Sequence, residues 1–213
     1  GHARSKGLLV VLDGKRNDIG STAEAYAAAY LGCDSVWQGD ALTVSPYLGD
    51  DSLSPFVERA QQSDSGIFVL VKTSNPGGGF FQDRNCPDQP LYEHVAEHVE
   101  QLASGTKGSS NYGVVGAVVG ATYPEQLAEL RGKMPSALLL VPGYGAQGGK
   151  AAELGPAFDS NGMGAVVNSS RGIIFAHQRT PYRERFADLN WQEAVASATA
   201  DANQELGEAA GLR

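Results

Sequence analysis

The chain has 213 residues, 42% of them hydrophobic and 19% charged, with a formal net charge of −8. That length and apolar content suit one sizeable α/β domain, and the acidic balance argues against a nucleic-acid surface or an anionic membrane partner. Cys33 and Cys86 have no metal-type spacing, no apolar run approaches the ~18 residues of a membrane span, and no signal peptide opens the chain, so a cytoplasmic location is expected.

In chain order, Gly7-Leu-Leu-Val-Val-Leu12 reads as a buried strand over Leu8–Leu12, short and apolar throughout. It runs into Asp13-Gly-Lys15-Arg-Asn-Asp18, which plants two carboxylates around one lysine at the strand's carboxyl end. Side chains alternate along a strand, so Asp13 and Lys15 leave it on the same side. Ser21-Thr-Ala-Glu24 has capping-box spacing, which places Asp18 at the start of a helix over Thr22–Tyr30. Further apolar runs predict strands at Ala41–Val44, Ile67–Val71, Val114–Val119, Ala137–Val141 and Ala165–Val167. Helical patterns fall near Ser52–Gln61, Leu91–Leu102, Pro124–Leu130 and Trp191–Leu206. Alternation of this kind predicts parallel strands joined by right-handed crossovers. No linker-like break interrupts it, so residues 1–213 read as one domain.

Two Gly-rich segments, 77–90 and 143–149, follow strands and belong to the carboxyl face, where long loops usually bind or cover ligands. Six βα units alone leave two architectures open. An eight-stranded barrel needs two more and is typically about 250 residues long, whereas an open doubly wound sheet needs none.

The chemistry concentrates at the first motif. An ammonium held between carboxylates stays protonated, because opposite charges at close range favour its charged form. Lys15 is therefore a proton donor with its counter-charges in place, or the centre of a purely structural salt-bridge cluster at a strand end. Gly143-Tyr-Gly145-Ala-Gln-Gly148 spells a dinucleotide fingerprint, but it comes late in the chain and no acidic residue closes a following strand ~20 positions on. His94-Val-Ala-Glu97-His98 spells a zinc-peptidase pattern. Its histidines flank the apolar stripe Leu91, Val95, Val99 and Leu102, which points to the rim of a packed helix.

The stretch Asp13-Gly-Lys15-Arg-Asn-Asp18-Ile-Gly-Ser-Thr22 resembles the Asp-x-Lys-x-x-Asp motif of the orotidine 5′-phosphate decarboxylase family. The bacterial subgroup that writes Lys-Arg-x-Asp-Ile-Gly after the third barrel strand is the most similar. Thr43–Gly49, Lys72–Gly77, Val141–Gly149 and Val167–Ile173 resemble that family's fourth, fifth, seventh and eighth strand ends, in order. The resemblance implies a (β/α)8 TIM barrel of which this chain carries six units, with the first two either supplied from before Gly1 or missing. It also implies roles. Lys15 matches the proton donor and Asp13 the carboxylate beside the departing CO2. Asp18 and Thr22 match positions given across a homodimer interface to the neighbouring site. Ser74 matches the serine that hydrogen-bonds the pyrimidine, Gln147 and Arg171 match residues that grip the 5′-phosphate, and Pro142 falls with the substrate-binding positions.

The implied activity is conversion of orotidine 5′-phosphate to UMP and CO2 in de novo pyrimidine synthesis, with no metal or organic cofactor. Two alternatives stand beside it: an Mg-dependent sugar-phosphate lyase or decarboxylase on the same barrel, and a non-catalytic phosphate-binding module.

Overall fold

The computed structural model describes residues 1–145, 149–186 and 190–212. Among them, six parallel strands form one sheet: β1 (Val11–Arg16), β2 (Ala41–Val44), β3 (Gly66–Lys72), β6 (Val115–Val119), β7 (Leu139–Pro142) and β8 (Ala165–Asn168). Two-residue strands β4 (Asn85–Cys86) and β5 (Gln89–Pro90) pair separately as an antiparallel hairpin. A four-residue helix, α1 (His2–Ser5), precedes β1. The crossovers are α2 (Gly20–Tyr30), α3 (Ser54–Gln62), α5 (Leu91–Gly105) and α6 (Pro124–Lys133), with a short α4 (Gly79–Gln82) ahead of the hairpin. Short 3-10 turns at Ala151–Glu153 and Gly155–Ala157 join β7 to β8, and α7 (Ser170–Ile174), α8 (Tyr182–Arg185) and α9 (Trp191–Ala209) follow.

Strand order is the chain order throughout, β1-β2-β3-β6-β7-β8. A doubly wound sheet reverses its order at a switch point and carries helices on both faces. Here the two faces differ. Alternate residues Leu42, Val44, Ile67, Val69, Ala117, Leu139 and Val141 join helix residues Ala23, Phe56, Val99 and Leu127 in the large core. Their neighbours of opposite parity, Ala41, Phe68, Val118 and Leu140, form a separate small cluster with Leu70 and Leu138. Helices outside and a small apolar layer inside make a barrel wall. The fold is α/β, with six of the eight βα units of a (β/α)8 barrel.

Five of the predicted strands fall within two residues of the observed ones, since burial on both faces makes their apolar runs unambiguous. The first prediction is displaced. Leu8 and Leu9 are 62% and 84% exposed, β1 begins at Val11, and the Asp13–Lys15 motif lies inside the strand. The cause is its position at the sheet edge, where β1 is bonded to β2 alone, so apolar content there no longer reports a covered neighbour. The capping box is also not formed: α2 starts at Gly20 behind Ile19, without a side-chain cap, and Ser21 lies within the helix.

Phe56 is fully buried between α3 and the sheet. Phe56→Ala is expected to lower the unfolding free energy by about 3–5 kcal/mol, measured by urea denaturation. A change within ~0.5 kcal/mol would be that of a surface site and would contradict this core.

Candidate active site

The site starts from an irregularity between β1 and β2. Their pairing passes from Leu12↔Leu42 to Arg16↔Val44, so Asp13, Gly14 and Lys15 lie opposite Thr43 alone. A bulge of this kind re-aims the side chains it carries. Glycine at position 14 lets the strands approach without displacing the tip of Leu42, whose Cδ1 would stand 2.9 Å from a Cβ there. Lys15 adopts φ +46°, a left-handed conformation that costs a non-glycine residue on the order of 1–3 kcal/mol and persists only when its surroundings impose it. Here they do. The Lys15 N–H donates to Thr43 Oγ1 at 2.9 Å, and the Thr43 hydroxyl donates to Asp13 Oδ1 at 3.0 Å. The Arg16 guanidinium donates to the Gly14 carbonyl at 2.8 Å.

The outcome is an ion pair between the Lys15 ammonium and Asp13 Oδ1. Burial pushes the Asp13 carboxyl up, but hydrogen bonds from Lys15 and Thr43 and the lysine charge outweigh it and hold the group below its ordinary value. Both side chains remain open to solvent, 51% for Lys15 and 68% for Asp13.

The pair stands over a cavity of about 460 Å³ at the carboxyl ends of the strands, within the size range of small-molecule sites. Val11, Leu70, Val118 and Leu140 line its apolar part. Around them stand Thr43, then Thr73, Ser74 and Asn75 after β3, Pro142 at the end of β7, Asn168 at the end of β8 and Ser170 just after it.

The segment after β3 is held in two ways. The Thr73 N–H donates to Gln82 Oε1 at 3.0 Å, and Gln82 Nε2 donates back to Thr73 Oγ1 at 2.9 Å. Lys72, 4% exposed, pairs with Asp83, and its ammonium lies 5.1 Å from the Tyr92 ring centre and 5.9 Å from that of Tyr123. Residues 77–90 are therefore folded onto the strand end through α4 and the hairpin. His94 belongs to that hairpin's support, with its ring bonded to the Cys86 carbonyl and the Gln89 amide. On the far side of Ser74, Gly120 packs so closely that a Cβ there would lie 2.8–3.0 Å from Ser74 Cβ, N and Cα.

Asp13, Lys15, Ser74 and Pro142, all named from the sequence, thus converge on one cavity. Asp18 and Thr22 do not line it. The Asp18 carboxylate accepts the Ile19 N–H at 2.9 Å, and among the described residues the ion pair of Lys15 is with Asp13 and not with Asp18 of the same chain. Thr22 is exposed in the first turn of α2. Arg171 is exposed in α7, next to Ser170, which does reach the cavity. Gln147 lies outside the described residues. Thr43, Asn75 and Asn168 in the lining, and Gly120 behind Ser74, are further residues of the site. Of these, only Thr43 carries a signal in the sequence, a hydroxyl within an otherwise apolar buried strand.

Residues 1–185 match the family model described as Orotidine 5′-phosphate decarboxylase / HUMPS family. The chain is 58% identical over 209 residues to the orotidine 5′-phosphate decarboxylase of Rhodopirellula baltica, covering 96% of this chain and 69% of that protein. It is 47% identical over 184 residues to that of Caldicellulosiruptor saccharolyticus, covering 83% of this chain and 60% of that protein. The solved structure of Leishmania donovani OMP decarboxylase superposes with a TM-score of 0.73 at 37% identity, covering 96% of this chain and 69% of that one. The chain thus spans about 60–69% of the length of these relatives, and across that span its sequence and its six-stranded wall make it a member of the orotidine 5′-phosphate decarboxylase family.

Proposed function

We propose that this chain carries the decarboxylation of orotidine 5′-phosphate to UMP and CO2, with Lys15 as the proton donor. The observation that carries the reading is the Lys15–Asp13 pair placed over an apolar-floored cavity in a member of this family. When the bond from C6 to the carboxylate breaks, its electron pair stays on C6, a vinyl carbanion that the ring delocalises poorly. What the reaction needs is a fixed cation where that charge develops, in a site poor in water. The Lys15 ammonium supplies the cation and then transfers a proton to C6. Asp13 stands against the substrate carboxylate, and the repulsion is relieved as neutral CO2 departs. Ser74 addresses the pyrimidine, Pro142 lines its pocket, and Arg171 and Gln147 take the phosphate. The phosphate's binding energy is spent on ordering and drying a remote reacting centre.

The position of Asp18 and Thr22 outside the lining of their own cavity supports a second part to the proposal, a homodimer with shared sites. Asp18 and Thr22 stand just before and within the first turn of α2, where an isologous contact can present them to the partner's Lys15. Tyr47, Phe80 and Phe81 are more than half exposed and touch through their rings at this same end of the sheet, which supports an apolar contact with a second copy. We also place the protein in the cytoplasm. Cys33 and Cys86 are both free thiols, which fits a reducing compartment, and no helix among the described residues is long and apolar enough to cross a membrane.

Lys15→Ala is expected to abolish orotidine 5′-phosphate turnover while leaving UMP binding measurable by calorimetry. Retention of more than a few per cent of the rate would remove Lys15 from the chemistry, and loss of turnover in EDTA would favour the Mg-dependent lyase instead.

Gly120→Ala is expected to displace Ser74 and weaken UMP binding by about 1–3 kcal/mol, with Lys15 and Asp13 untouched. Unchanged affinity would take Ser74 out of pyrimidine recognition.

Mixing inactive Lys15→Ala protein with inactive Asp18→Ala protein is expected to restore roughly a quarter of wild-type activity when subunits exchange at random. Each mixed dimer then holds one intact site. Mixtures that stay inactive despite demonstrated exchange would defeat the shared site.

A further inference from the structure

We propose that Thr43 is a positioning residue of this site: its buried hydroxyl ties the Asp13 carboxylate to the backbone of Lys15 and so sets where the ammonium stands. The inference rests on the reading of Lys15 as the proton donor.

Thr43 is 1% exposed, in a strand whose other residues, Ala41, Leu42 and Val44, are buried and apolar. A hydroxyl in such a place is unfavourable unless it is hydrogen-bonded. Its partners here are both parts of the motif. The Lys15 N–H can only donate, so Thr43 Oγ1 accepts it at 2.9 Å. The hydroxyl proton is then free to go to Asp13 Oδ1, 3.0 Å away. The same Oδ1 receives the Lys15 ammonium. One hydroxyl thereby closes a loop from the Lys15 backbone, through Thr43 and Asp13, to the tip of the Lys15 side chain.

The bulge makes this loop necessary. Three residues of β1 face one of β2, so the strand ladder cannot hold the middle of the motif, and Lys15 sits at a φ of +46°. The Thr43 side chain supplies the bond that the ladder does not. Its β-branch leaves χ1 few choices, so the hydroxyl is held in direction as well as in place. Without that bond the Lys15 backbone is free to relax toward an extended conformation and the ammonium moves with it. The bond from Thr43 also favours the ionised form of Asp13. The proton-donating geometry therefore depends on a residue of the neighbouring strand.

The test replaces the hydroxyl while keeping the shape. Thr43→Val should lower kcat on the order of a hundredfold, the scale of an ångström-sized misplacement, with KM within about threefold of wild type because phosphate and pyrimidine contacts lie elsewhere. Thr43→Ser keeps the hydroxyl, loses the methyl, and should recover most of kcat. The Asp13 carboxyl, followed by 13C NMR, should titrate at a higher pH in Thr43→Val than in wild type, since a donor to its ionised form is gone. The acid limb of the rate profile should move up with it.

If Thr43→Val does not fold, Thr43→Cys, a weak donor of similar size, takes its place with the same expectations. A kcat within about threefold of wild type in the hydroxyl-free variant, or a Thr43→Ser as impaired as Thr43→Val, would make Thr43 a packing residue and overturn the proposal. A wild-type protein without decarboxylase activity would overturn the assigned reaction instead. The Asp13 titration then still decides the tie, and an unchanged titration in Thr43→Val would overturn it.

Discussion

The ion pair between Lys15 and Asp13 depends on a break in the β1–β2 ladder, and the rest of the site is arranged around that break. In a regular strand, residues two apart share a face but stand well apart along it. Placing three residues of β1 against one of β2 re-aims the side chains that the bulge carries, and ammonium and carboxylate meet there. The cost is a left-handed Lys15, offset by hydrogen bonds from the neighbouring strand and by the pair itself. Strain of this kind is held where function requires a fixed geometry.

The sheet supplies what the pair cannot. Parallel strands bring all their carboxyl ends to one side, so residues from β1, β2, β3, β6, β7 and β8 reach one cavity without being near one another in the chain. The inner apolar layer of Ala41, Phe68, Val118 and Leu140 lies beneath it, and its upper members form part of the cavity lining. In the proposed reaction a substrate seated on that floor displaces water, and the charges then act through a lower effective dielectric, the condition for electrostatic stabilisation of a developing carbanion.

Residues 77–90 show how a long connection becomes part of such a site. The buried Lys72, between two tyrosine rings and paired with Asp83, anchors the segment at the strand end, and the mutual bonds of Thr73 and Gln82 fix the turn that bears Ser74. Phe80 and Phe81 are left outward, their rings in contact with each other and that of Phe81 with Tyr47. The same anchor thus orders a cavity residue on one side and an exposed aromatic surface on the other.

The amino-acid sequence by itself determined the alternation of strands and helices, the carboxyl-face placement of the site, and the presence of Asp13 and Lys15 on one face of a strand end, since these follow from apolar periodicity and from residue spacing within one strand. It did not determine that the motif lies inside β1 and not beyond it, because Leu8 and Leu9 are as apolar as core residues and only the missing neighbour on that edge leaves them exposed. It suggested a capping box that α2 does not use, a local pattern overruled by where the chain leaves the sheet. Single residues such as Thr43 and Gly120 matter through contacts 28 and more positions away along the chain, which no local pattern encodes. Tertiary structure alone decided the bulge, the strand order without reversal and the separation of Asp18 from its own Lys15, because each depends on which strand lies beside which.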